Sequence, residues 1–146
     1  MSRVKKLEEM KDFAFQFLTK LKDKNLVALS GNLGSGKTTF TKFLAKALGI
    51  KKSITSPTFN IVKLYSIKKN KKHNFNKLYH IDCYRLSNST ELIDLGYFEW
   101  LKDKKALIVI EWAQKIKDIL PKTRIELEFS VINEGERSIY LKPTLF

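Results

Sequence analysis

Hydrophobic positions along the chain fall into a small number of regular patterns. Leu7, Met10, Ala14, Phe17 and Leu21 recur at spacings of three and four, which predicts an amphipathic helix over 4–22. "NLVALS" (25–30) is a short apolar run leading into glycine and reads as a buried strand. "KTTFTKFLAKAL" (37–48) returns to helical spacing with Phe40, Phe43, Leu44 and Ala47 inward, and Gly49 stops it. Pro57 forces an extended entry to a strand within 53–67, and a polar hairpin tip at 68–76 separates it from a second strand at 77–86. "STELIDLGYFEWL" (89–101) reads as one short helix with Leu92 and Leu95 on a common face. "KALIVIEW" (105–112) is the strongest central-strand signal, and a helical turn follows it as far as Leu120, before Pro121. Ile125, Leu127 and Phe129 alternate, and "NEG" (133–135) predicts a closing hairpin. Strands alternating with helices, with no repeat and no linker, predict one α/β domain over 1–146. Its mixed central sheet is flanked by helices and ends in antiparallel strands.

Composition narrows the class. The longest apolar run, "ALIVI" (106–110), is far too short to cross a bilayer, so no membrane association is expected. The N-terminal "MSRVKKLEEMKDF" lacks an apolar secretory segment, and a single cysteine, Cys83, cannot form an internal disulfide. Both features point to the cytoplasm. The net charge of +13 comes almost entirely from lysine: of 28 basic residues, only Arg3, Arg85, Arg124 and Arg137 are arginine. Such an excess suits phosphate contact better than base reading, and it also fits a proteome-wide drift toward lysine.

The chemistry enters at "GNLGSGKTTF". Gly31, Gly36, Lys37 and Thr38 satisfy G-x-x-x-x-G-K-[ST], and Gly34 adds a further glycine. Backbone N–H groups of Leu33, Gly34, Ser35, Gly36, Lys37, Thr38 and Thr39 are placed to turn around phosphate oxygens. Lys37 supplies a charge for the β and γ phosphates, Thr38 a hydroxyl for Mg²⁺, and the following helix its positive end. The strand before and the helix after weigh against a chance match. "NKLY" (76–79) fails the N-K-x-D pattern that reads guanine, which leaves adenine favoured. Magnesium and water require carboxylates. Glu111, directly after five apolar residues, and Asp82, within "LYHIDCYRL", are the candidates; Asp82 could instead pair Arg85 locally. His80 and His73 lack metal-ligand spacing and read as a strand and a loop residue. Cys83, Trp100 and Trp112 read as packing residues.

Taken together and in order, "GNLGSGKTTF", "SPTFNIV", "YHIDCYRL", "ELIDLGYFEW" and "IVIEW" resemble the TsaE (YjeE) family from about residue 26 to Trp112. These are small bacterial P-loop ATPases of threonylcarbamoyladenosine synthesis on tRNA. The resemblance implies ATP and Mg²⁺ as ligands and a TsaD–TsaB pair as partner. It leaves open whether the lysine-rich surface meets tRNA directly or tRNA is reached indirectly through the partners, and implies that the ATPase drives or resets the machine without performing the transfer. It assigns Lys37 to the phosphates, Thr38, Glu111 and Asp82 to the metal, and Glu111, Asp82 and Lys37 to catalysis. Thr58 of "SPTF" falls in a switch-like segment near the γ-phosphate, and Gly135 and Arg137 fall where the tail approaches the nucleotide. The chain departs from the family at Ala113 (usually proline), Cys83 (usually a bulky aliphatic) and Met10 (commonly threonine), and in a longer lysine-rich tip at 68–76. Two other classes compete on the residues alone. One is a small-molecule kinase, for which few arginines and no lid are evident. The other is a basic nucleic-acid-binding module gated by nucleotide.

Overall fold

The computed structural model describes residues 1–57, 59–68 and 70–142. In chain order the elements are β1 (Ser2–Val4), α1 (Leu7–Leu18), β2 (Leu26–Gly31), α2 (Lys37–Leu48), β3 (Val62–Ser66), β4 (Lys77–Asp82), α3 (Thr90–Asp94), α4 (Tyr97–Lys102), β5 (Ala106–Glu111), a 3-10 segment (Ala113–Ile119), β6 (Ile125–Asn133) and β7 (Glu136–Lys142). The strands form one seven-stranded sheet in the order β1-β7-β6-β2-β5-β4-β3. β6, β2, β5 and β4 run parallel at its centre, while β3 on one side and β7 and β1 on the other run antiparallel to their neighbours.

All six residues of β5 are buried, as expected for a central strand covered on both faces. Strand alternation sorts the core into two layers. Val27, Leu29, Leu107 and Val109 face α1 and α2, and Leu26, Ala28, Ile108 and Ile110 face α3, α4 and the 3-10 segment. On the first face an aromatic cluster ties three elements together. Phe40 of α2 lies 5.4 Å from Phe17 of α1 and 5.6 Å from Phe129 of β6, ring centre to ring centre. Among the described residues, no helix is long and apolar enough to cross a membrane.

Several elements differ from the sequence expectation. The first helix begins at Leu7 because Ser2–Val4 pairs with β7, Val4 opposite Arg137. Leu7, expected inward, is 69% exposed. The predicted strand over 53–67 is regular only from Val62. Its partner stops at Asp82, where the carboxylate Oδ1 accepts the Tyr84 N–H at 2.9 Å and turns the chain. The single helix expected over 89–101 is two, broken at Gly96 with φ 113°, and the break turns Leu95 outward while Leu92 stays buried.

Candidate functional site

The parallel strands β2, β5 and β4 end side by side at Gly31, Glu111 and Asp82, with Leu29 opposite Glu111 and Glu111 opposite Asp82. Ligands of open α/β sheets bind beyond such carboxyl ends. Residues 32–36 leave β2 as a tight loop and deliver the chain into α2, whose amino end opens on the same space. The loop demands glycine in two places. A Cβ on Gly31 would stand 2.4 Å from the Phe129 carbonyl oxygen, and Gly36 takes φ 107° with Met10 beside it. The Lys37 ammonium donates to the carbonyl oxygens of Gly31 and Asn32 at 2.8 and 2.9 Å and sits 4.4 Å from the centre of the Trp112 ring. Burial lowers its pKa, and the charges of Glu111 and Asp82 oppose that shift.

The two acids are built differently. Glu111 is buried, with Oε1 accepting the Thr38 hydroxyl at 2.7 Å and Oε2 accepting His80 Nε2–H at 2.5 Å. Both side chains of the His80–Glu111 pair are buried, and His80 Nδ1 has no hydrogen-bond partner among the described residues. Asp82 is half-buried and accepts the Ser56 hydroxyl at 3.1 Å through Oδ2. The alternative local pairing of Asp82 with Arg85 is absent among the described residues; the Arg85 guanidinium lies 5.6 Å from the Phe59 ring centre. Trp112, directly after Glu111, adopts a left-handed backbone (φ 59°, ψ 40°), unusual for a bulky residue, that swings its ring under the loop.

These groups line a cavity of about 570 Å³. Its floor is Leu33, Gly34, Ser35, Gly36, Lys37, Thr38 and Thr39, and its acidic wall is Asp82 and Glu111. Val4, Leu7 and Met10 form an apolar wall, and Gly135 and Arg137 of the terminal hairpin close the mouth. Arg137 Nε donates to the Gly34 carbonyl at 3.0 Å, which joins that hairpin to the loop. The volume and the division into a polar floor and an apolar wall suit a nucleotide. The hydroxyl of Thr38 and the carboxylates of Glu111 and Asp82 form an all-oxygen donor set, fitting a hard cation such as Mg²⁺. Among the described residues no cluster of three or more His, Cys, Asp or Glu could hold a metal ion.

The structure therefore brings together Leu33 to Thr39, Asp82, Glu111, Gly135 and Arg137 around one cavity. Gly31 lies beneath it, contributing its carbonyl to Lys37. Thr58 lies outside the described residues. His80 is the strand residue the sequence indicates, but its bond to Glu111 has no local signal beyond its place two residues before Asp82, on the same face of β4. Trp112 was assigned to packing; its contact with Lys37 follows from a backbone turn that no local pattern announced.

A mixed sheet with parallel central strands, a glycine-rich phosphate loop after one of them, and an acid ending the next strand against the threonine that follows the loop defines a P-loop nucleotide-binding protein. Residues 4–139 match the family model described as threonylcarbamoyl adenosine biosynthesis protein TsaE. The chain belongs to the TsaE family. A tRNA threonylcarbamoyladenosine biosynthesis protein TsaE from Rickettsia typhi is 37% identical over 140 residues, spanning 95% of this chain and 92% of the relative. The protein of that name from Borreliella burgdorferi is 42% identical over 129 residues (88% and 89%), and that from Bacillus subtilis 36% over 132 residues (90% and 78%). The crystal structure of Bacillus subtilis YdiB superposes with a TM-score of 0.74 at 32% identity, covering 99% of this chain and 84% of that one.

Proposed function

We propose that the protein is a Mg²⁺-dependent ATPase required for threonylcarbamoyladenosine modification of tRNA, acting with a TsaD-like and a TsaB-like partner. The observation that supports this most is the meeting of Lys37, Thr38, Glu111 and Asp82 at the carboxyl ends of three adjacent strands. In this reading the loop amides and Lys37 bind the phosphates, Leu7 and Met10 face the base, and Arg137 holds the loop. Thr38, Glu111 and Asp82 would hold Mg²⁺, which neutralises phosphate charge when bound. Membership of the family and the relatives' printed names supply the pathway. ATP·Mg²⁺ orders the segment around Thr58 and so creates a docking surface for the partners, a proposal motivated by the Ser56–Asp82 bond that tethers that segment to the site.

The test is hydrolysis by the chain alone, with the partner pair, and with the pair plus tRNA. Strong activation by the assembly is expected. Hydrolysis unaffected by the partners, or equal capture of the pair with and without ATP, would contradict the proposal.

A further inference from the structure

The ends of the central strands opposite the nucleotide cavity carry a second built feature. Lys22 and Lys24 from the α1–β2 connection, Lys72 from the β3–β4 connection and Lys104 from the α4–β5 connection line one groove of about 280 Å³. Each connection enters its strand at the amino end, whereas the cavity lies at the carboxyl ends. Six residues of β2 separate the two, about 20 Å of extended chain.

Three observations describe this groove. First, none of the four ammonium groups makes an ion pair among the described residues. Asp23 is the one acidic residue lining the groove among the described residues, and the nearby Asp103 is held 3.0 Å from Lys77. Second, the groove is pinned in place. His73 Nε2 lies 2.8 Å from the Leu48 carbonyl and His73 Nδ1 accepts the Phe75 N–H, a pattern that fits a neutral ring donating from Nε2. Asn25 reaches the Asp103 carbonyl at 3.3 Å, and the Asn76 N–H reaches the Lys105 carbonyl at 2.8 Å. Third, Lys22 occupies a left-handed backbone conformation (φ 52°) that costs energy for a residue with a Cβ.

Four lysines around one groove, with Asp23 the one acid among its described lining, fit an anion of several phosphates. Among the described residues no arginine fork lines the groove to read bases; Phe75 is buried, and the His73 ring is held by the Leu48 carbonyl and the Phe75 N–H. We propose that this groove docks the ribose–phosphate backbone of a folded RNA, remote from the nucleotide site. The inference rests on the proposed role in tRNA modification only in naming RNA as the polyanion. Recognition is by backbone charge and shape, as double-helical RNA allows.

The experiment measures binding of a fluorescent hairpin RNA to the full chain by anisotropy between 50 and 200 mM KCl. One variant combines Lys22→Glu, Lys24→Glu, Lys72→Glu and Lys104→Glu; a control of equal net charge combines Lys11→Glu, Lys42→Glu, Lys63→Glu and Lys117→Glu. The groove variant is expected to bind at least tenfold more weakly than the control and to lose roughly three to four from the slope of log K against log salt. ATP binding by the same proteins is expected to be unchanged, which verifies folding. Equal losses in both variants, no binding by the wild type, or equal competition by inorganic polyphosphate would each overturn the proposal. A chain that supports tRNA modification without groove-dependent RNA binding refutes this inference alone. Groove-dependent RNA binding without any effect on modification refutes the pathway reading alone.

Discussion

Thr38 and Glu111 stand 73 positions apart in sequence, and the hydroxyl of one lies 2.7 Å from the carboxylate of the other. That contact joins the first turn of α2 to the end of β5 and so fixes the acidic side of the cavity to the loop and helix beneath it. Replacing Glu111 with alanine is expected to lower the turnover number by about 100-fold or more while retaining measurable nucleotide binding through the loop. Hydrolysis at the wild-type rate in that variant would exclude Glu111 from the chemistry.

His80 holds the other oxygen of Glu111 in a fully buried pair. His80→Ala leaves that oxygen without its donor and should cost about 1–3 kcal/mol in urea unfolding. His80→Gln can still donate and should recover part of the loss. Equal stability of alanine, glutamine and wild-type proteins would show that the pair contributes nothing.

Phe40 sits between Phe17 and Phe129, with no exposed surface, directly behind the loop. Phe40→Ala should lose about 3–5 kcal/mol, read from denaturant midpoints at constant slope. A loss under 1 kcal/mol would mean that the cluster collapses around the gap.

Much of this was written in the residues. The phosphate loop, its helix 37–48 and the central strand could be placed because their signals are local: glycine spacing, a capping glycine, an unbroken apolar run. What escaped depends on distant partners. Strand β1 is three residues long and exists because β7 pairs with it, and no pattern of three residues can announce that. Leu7 matches the buried face of α1 by spacing yet is exposed, because it borders the cavity and not a neighbouring element. His80 resembled an ordinary strand residue until register brought Glu111 across from Asp82.

Burial pushes the Cys83 thiol up to about 12, from 9.0. The thiolate is the reactive form, so at pH 8 the buried thiol stays protonated in the folded protein. Labelling by a disulfide reagent should be slow until urea unfolds the chain, and fast labelling of native protein would contradict the buried environment. The sign for stability follows from the raised folded value. The contribution is complete below pH 9 and is lost as pH climbs toward 12.

Arg137 belongs to the final strand, yet it clasps the carbonyl of Gly34 near the start of the chain. During synthesis the phosphate loop emerges from the ribosome about a hundred residues before the strand that steadies it. The lining that Val4 and Arg137 give the cavity is complete only once β7 has been made and has paired with β1 at the sheet edge.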